Sequence, residues 1–277
     1  MKYFETSDGL SLAYDDQGAG HPVLCLAGLT RNMADFEPLM AARADAARFI
    51  RLDARGRGAS DRAADFMTYD VAVEARDAVE LLNHLGIERA MIVGTSRGGL
   101  QAMVIAASLP QRLSAVLLND IGPEIAGGGL DVIMQYLGRR PAAKTYEDAA
   151  QATAAFNAER FPTMTAADWL PHVRRFYDEK PDGLHLRYDP KLRDAILAQA
   201  EAGPMPDLWP LFDALSGIPT GVLRGAHSDL LTAETVERMK ARHPDLLTGE
   251  VPNRGHVPFL DEAESLSLFD CLLERAT

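Results

Sequence analysis

Short apolar runs alternate with amphipathic stretches through most of this chain. Val23-Leu24-Cys25-Leu26 and Ala90-Met91-Ile92-Val93 have no polar residue, as expected of strands covered on both faces. The pattern predicts strands over Lys2–Thr6, Leu10–Asp15, Pro22–Ala27, Arg48–Asp53, Arg89–Gly94, Leu113–Leu118, Pro219–Gly225 and Leu246–Val251. The first two flank Ser7-Asp8-Gly9, a hairpin turn signal. Between strands, Val71, Ala75, Ala78, Val79, Leu82 and Leu85 fall close to helical spacing within Tyr69–Leu85, and Gly86 is a natural stop. Helices are also predicted over Phe36–Ala47, Gly98–Leu109, Thr232–Arg242 and Pro258–Glu274.

The alternation breaks between Pro123 and Ser216. No strand is predicted there. Short helices are, over Leu130–Leu137, Tyr146–Glu159, Ala166–Tyr177, Lys191–Gln199 and Asp207–Leu215. Breakers at Gly127-Gly128-Gly129, Gly138, Pro141, Pro162, Pro181, Pro190 and Gly203-Pro204 separate them. Strand–helix alternation implies an α/β fold: a mostly parallel sheet with helices on both faces. The expected organisation is a core domain of residues 1–122 and 217–277, with residues 123–216 inserted as a helical cap over the sheet edge.

Composition narrows the partners. The chain has 277 residues, enough for one large domain with an insertion, and a formal net charge of -12. A nucleic-acid partner needs clustered Lys and Arg to displace counterions, and only short basic pairs such as Arg139-Arg140 and Arg174-Arg175 occur. Stable membrane association is not expected, because no window approaches the ~20 apolar residues of a spanning helix. The N-terminus turns polar and acidic at once, unlike a signal peptide, so the cytoplasm is the expected location. The two cysteines, Cys25 and Cys271, are isolated, and Cys25 reads as a small core hydrophobe. A homodimer is left open.

The most specific local signal is Gly94-Thr95-Ser96-Arg97-Gly98, a G-x-S-x-G sequence between an apolar strand and a helix. On so tight a turn, side chains two residues either side of the serine would collide. Glycine at 94 and 98 removes them and leaves Ser96 exposed at the carboxyl end of the sheet, beside a helix N-terminus.

A serine hydroxyl is a weak nucleophile at neutral pH and needs a base within hydrogen-bond reach. His256 follows the last strand and precedes the last helix, at the same sheet edge as Ser96. A carboxylate must then fix the imidazole tautomer. Asp229, after the strand ending at Gly225, is favoured; Asp120, at the end of the preceding strand, is the rival. The order Ser96, Asp229, His256 matches the chain order associated with this motif. Gly28 would let the backbone approach a carbonyl oxygen, so that the Leu29 N–H and the Arg97 N–H form an oxyanion hole.

With these motifs in place, the chain resembles the α/β-hydrolase superfamily, and especially its cap-bearing bacterial members. The matching residues are Gly28-Leu29, Asp53 to Asp61, Gly94 to Gly99, Asp229 and Gly255-His256. The resemblance implies an eight-stranded, mostly parallel twisted sheet. Two departures stand out. Ala27 replaces the histidine that often steadies the oxyanion turn, a task left to Thr30 or Asn32. Arg97 follows the nucleophile where Met, Leu or Gln is more usual, and could pair with a scaffold carboxylate or bind a substrate anion.

The expected activity is hydrolysis of a small-molecule carboxylic ester or lactone through an acyl-enzyme. Neither a metal nor an organic cofactor is implied. Two other readings stand beside it. One is hydrolysis of a carbon–carbon bond in a dienoic ring-cleavage product, with Arg97, Arg139 or Arg140 holding the substrate anion. The other is a non-catalytic binding module on the same fold.

Overall fold

The computed structural model describes residues 1–203 and 206–277; the expected breaker at Pro204 lies outside the described residues. In chain order the strands are β1 (Lys2–Glu5), β2 (Ser11–Gln17), β3 (Pro22–Leu26), β4 (Arg48–Leu52), β5 (Ala90–Thr95), β6 (Leu113–Asn119), β7 (Tyr177–Lys180), β8 (Gly183–Leu186), β9 (Thr220–Gly225) and β10 (Leu247–Val251). The helices are α1 (Glu37–Ala42), α2 (Val71–His84), α3 (Arg97–Ser108), α4 (Gly127–Tyr136), α5 (Tyr146–Phe156), α6 (Ala166–Phe176), α7 (Leu192–Ala202), α8 (Trp209–Asp213), α9 (Ala233–Arg242) and α10 (Ala263–Ala276).

Among the described residues, eight strands form one sheet in the order β1-β2-β4-β3-β5-β6-β9-β10. The β1–β2 and β2–β4 pairs are antiparallel, and every other pair is parallel. The strong apolar runs form its centre, where both faces are buried. Side chains alternate between the faces as strand geometry requires. Leu24, Leu26, Ile50, Ile92, Val116, Leu118 and Val222 join a core with Ala78, Leu82, Ala102 and Met103 of α2 and α3. Val23, Cys25, Phe49, Met91, Val93, Leu117 and Leu223 join a second core with Leu39 of α1 and Phe269 and Leu272 of α10. Each fully buried Leu, Ile or Phe contributes about 1.5–3 kcal/mol, so these two layers fix the positions of the strand ends. Cys25 is buried among them, and burial pushes its thiol up to about 12.

The chain between β6 and β9 departs from an all-helical expectation. It contains α4 to α8, but also an antiparallel hairpin, Tyr177 opposite Leu186 through Lys180 opposite Gly183. Pro181-Asp182-Gly183 supplies its turn, with Gly183 at φ 116. Polar residues at Asp178, Glu179 and Lys180 hide the strand signal, because β7 is largely exposed and has no apolar alternation. The glycine triplet also differs from expectation: Gly127 begins α4 rather than separating helices.

Boundaries elsewhere shift by a few residues for local reasons. Asp70 accepts from the Ala72 N–H and starts α2, which leaves Tyr69 outside it. The Tyr69 hydroxyl donates instead to Asp189, 2.7 Å away. No described helix is long and apolar enough to cross a membrane.

Candidate active site

The turn from β5 to α3 is as tight as its glycines require. A Cβ on Gly94 would sit 2.6 Å from the Gly98 carbonyl, and one on Gly98 would sit 2.0 Å from the Leu26 carbonyl oxygen. Ser96, between them, has φ 51 and ψ -114, a conformation that costs a non-glycine residue about 1–3 kcal/mol. The Ser96 N–H donates to the Asn119 carbonyl at 2.9 Å and locks the bend to β6. Ser96 remains partly exposed between buried neighbours.

His256 lies across this bend. Its Nε2 is 2.9 Å from Ser96 Oγ. The loop that carries it is held close to β9: the Ala226 N–H donates to the Val251 carbonyl, and the His227 N–H to the Arg254 carbonyl. Gly225 is required there, since a Cβ would meet the Gly255 carbonyl oxygen at 2.4 Å.

The expected carboxylate is corrected. His256 Nδ1 lies 2.8 Å from Asp120 Oδ2, while Asp229 is not its partner. Asp229 instead accepts from Arg160 Nη1 at 3.1 Å, and its side chain is 32% exposed. The physical reason is placement on the sheet. Asp120 directly follows β6, the neighbour of β5, and has φ 55, which turns its side chain off the strand line. Asp229 sits four residues beyond β9. Asp120 is fully buried, yet its carboxylate is well supplied with donors. Oδ1 accepts the Gly225 N–H at 2.8 Å, and Oδ2 accepts the Ser228 hydroxyl at 2.6 Å besides His256. Asp53, just after β4, serves loop hydrogen bonding instead: it accepts from the Met33 and Ala59 N–H groups.

The Gly28 turn adjoins Ser96. A Cβ on Gly28 would lie 3.7 Å from Ser96 Cβ and 3.3 Å from Arg31 Cγ. Among the described residues, the Leu29 and Arg97 N–H groups have no acceptor in a turn, loop or side chain. Asn32 bonds away from the Gly28 turn: its Oδ1 accepts the Ala34 N–H, and its Nδ2 donates to the Arg175 carbonyl at the end of α6.

The Arg97 side chain turns away into the scaffold. Its Nε is 2.7 Å from Glu74 Oε2, and one Nη donates to the Tyr69 carbonyl. Arg57 and Gln101 also donate to the Glu74 carboxylate. Burial pushes that carboxyl up, but Arg57 and Arg97 outweigh burial and hold it below its ordinary value. A buried anion held by two arginines braces the start of α3 from below.

The insertion between β6 and β9 reaches these loops. Arg160 packs on Gly255, where a Cβ would lie 2.7 Å from Arg160 Cβ. Phe161 stacks on Phe259 at 5.5 Å between centroids, and the His172 ring lies 4.1 Å from Phe259. Arg31 pairs with Asp35 and covers the Phe176 ring at 3.6 Å. Trp169 also joins this aromatic group. Trp209 does not: it packs on Phe212 and donates to Glu124 elsewhere. No group of three metal-ligating side chains occurs among the described residues.

The comparisons with known proteins agree with this architecture. The sequence profile of the alpha/beta hydrolase family matches residues 23–266. The chain is 35% identical, over 87% of its length and 85% of the relative's, to a 3-hydroxybutyrate-oligomer hydrolase of Cupriavidus necator. It is 29% identical, over 89% of its length and 85% of the relative's, to a 2-(acetamidomethylene)succinate hydrolase of Mesorhizobium japonicum. The crystal structure of an alpha/beta hydrolase from Novosphingobium aromaticivorans superposes with a TM-score of 0.92 at 41% identity, covering 99% of this chain and 97% of that one.

Proposed function

This chain belongs to the alpha/beta hydrolase family, and on that premise we propose that it is a serine hydrolase that cleaves a carboxylic ester or lactone through an acyl-enzyme. One observation carries the reading: Ser96 Oγ, His256 and Asp120 form an unbroken hydrogen-bonded line at the carboxyl edge of a parallel sheet. No other side-chain set at that edge joins a hydroxyl on a strained, partly exposed residue to a base and a buried acid among the described residues.

The roles follow from the geometry. The Ser96 hydroxyl oxygen forms a bond to the substrate carbonyl carbon as its proton passes to His256 Nε2, 2.9 Å away. Asp120 holds the proton on Nδ1 and steadies the imidazolium. The Leu29 and Arg97 N–H groups face the negative charge that develops on the carbonyl oxygen, each worth about 3–4 kcal/mol in the transition state. The carbon–oxygen bond to the leaving alkoxide then breaks, and the His256 proton goes to that oxygen. Water attacks the acyl-enzyme with His256 again as base, which restores the Ser96 hydroxyl.

Residues 123–216 act in this reading as a cap, because Arg160, Phe161 and His172 pack on the loops that carry the site. The carbon–carbon bond reading loses one support, since Arg97 is committed to Glu74 and Tyr69. A non-catalytic module would have no use for the strained Ser96 bend.

Turnover of p-nitrophenyl butyrate, a 3-hydroxybutyrate dimer and a ring-cleavage dienoate by the wild type and Ser96→Ala tests the proposal. Ester turnover that falls by several orders of magnitude in Ser96→Ala is expected. Turnover of the dienoate alone would overturn the ester reading, and an active Ser96→Ala would overturn the serine reading.

A further inference from the structure

Two residues of the 225–231 loop donate to the Asp120 carboxylate, Gly225 through its backbone N–H and Ser228 through its side chain. Ser228 Oγ lies 2.6 Å from Asp120 Oδ2, the same oxygen that faces His256 Nδ1. Its own orientation is fixed. The Leu230 and Leu231 N–H groups point at Ser228 Oγ from 3.3 and 3.1 Å, which occupies its lone pairs and directs its proton to the carboxylate. The Ser228 N–H donates to the Gly225 carbonyl, and the Gly225 N–H binds the other carboxylate oxygen. Leu230 and Leu231 are buried, and the Ala126 N–H donates to the Leu230 carbonyl. On the outer side, Asp229 pairs with Arg160 of the insertion.

We propose that Ser228 is a positioning residue for the acid: its hydroxyl takes one lone pair of Asp120 Oδ2 and so aims the other at His256 Nδ1. This inference rests on the reading of Ser96, His256 and Asp120 as the triad. A carboxylate with one oxygen free to rotate its lone pairs could accept from His256 over a range of ring angles. Two donors on Oδ2 and one on Oδ1 leave a single arrangement, in which the far ring nitrogen meets Ser96 Oγ. A fully buried anion also needs these donors in place of water. The Arg160–Asp229 pair anchors the loop that carries Ser228, so the insertion helps to hold the acid without touching it.

The test is the rate of Ser96 phosphonylation by a fluorophosphonate, resolved into kinact and KI, for wild type, Ser228→Ala, Ser228→Thr, Asp120→Asn and the Ser228→Ala/Asp120→Asn pair. Ser228→Ala is expected to lower kinact about ten- to a hundredfold with KI unchanged, as loss of a hydrogen bond to a charge implies. Ser228→Thr, which keeps the hydroxyl, restores kinact to within about threefold of wild type. In the Asp120→Asn background the alanine change adds less than about twofold, because the two act as a unit. Thermal denaturation confirms that each variant is folded. Wild-type kinact in Ser228→Ala overturns the inference, as does an equal loss in the Ala and Thr variants. A normal rate in Asp120→Asn overturns the triad reading itself, and a wild type that does not label overturns both.

Discussion

Asp120 and His256 stand 136 positions apart in sequence and 2.8 Å apart in space, and the contact depends on adjacent strands. Asp120 directly follows β6, beside β5 and its Ser96 bend, so the proposed nucleophile and acid leave neighbouring strands. His256 reaches both because the loop after β10 folds back along β9.

Exchange of the two candidate acids separates their roles. Asp120→Asn is expected to lower kcat on a short ester by about 10⁴-fold, by favouring the wrong imidazole tautomer. Asp229→Asn loses only the pair with Arg160 and is expected to cost less than about tenfold. Steady-state kinetics of both variants on p-nitrophenyl butyrate checks this.

Much of the fold was legible because its strongest signal is the buried strand. The eight strands expected from apolar runs and the Ser7-Asp8-Gly9 hairpin signal are the eight of the sheet, with ends displaced by a residue or two. Strand β7 was not legible, since exposed Asp178, Glu179 and Lys180 carry no apolar alternation. At the site, Ser96 and His256 announce themselves by their turns, and the structure brings them together. The acid did not. Asp229 and Asp120 both follow strands of the same sheet edge, and chain order admits either. The usable signal was adjacency: Asp120 follows an apolar strand with no intervening residue, whereas Ala226-His227-Ser228 separates Asp229 from β9. Ser228 was illegible, because its role exists only once the loop is folded against Asp120.

The Ser96 bend makes activity and stability pull in opposite directions. At φ 51 and ψ -114 the serine is strained, and glycine is not. Ser96→Gly is expected to abolish turnover while stabilising the fold by about 1 kcal/mol, a rise of about 2 °C in Tm. Differential scanning calorimetry reads the shift; a lower Tm would show that the bend is relaxed.

Glu74 is the single anion between Arg57, Arg97 and Gln101, and all but 1% of it is buried. Glu74→Gln leaves two buried guanidinium groups without a counter-charge and is expected to destabilise the protein by about 3–5 kcal/mol. Urea unfolding measures this. The loss should exceed that of Asp182→Asn, because Asp182 and its partner Arg140 are solvent-exposed.

His172 sets a pH dependence of stability. Burial against Phe259, aided by the charges of Arg175, Arg31 and Arg254, lowers its pKa from 6.5 to about 3. Below 6.5 the unfolded chain therefore binds a proton that the folded protein refuses. The contribution is complete above that pH and is lost as pH falls toward 3. Between pH 7 and pH 5 the wild type is expected to lose on the order of 1–2 kcal/mol from this group, and His172→Phe to lose correspondingly less. Urea midpoints at the two pH values give the comparison.

The most direct test of the central claim is mass spectrometry of the protein after exposure to a fluorophosphonate. A single adduct that maps to Ser96, absent from Ser96→Ala and nearly absent from His256→Ala, is the expected result. An unmodified wild type, or an adduct that persists on another residue when Ser96 is replaced, would contradict it.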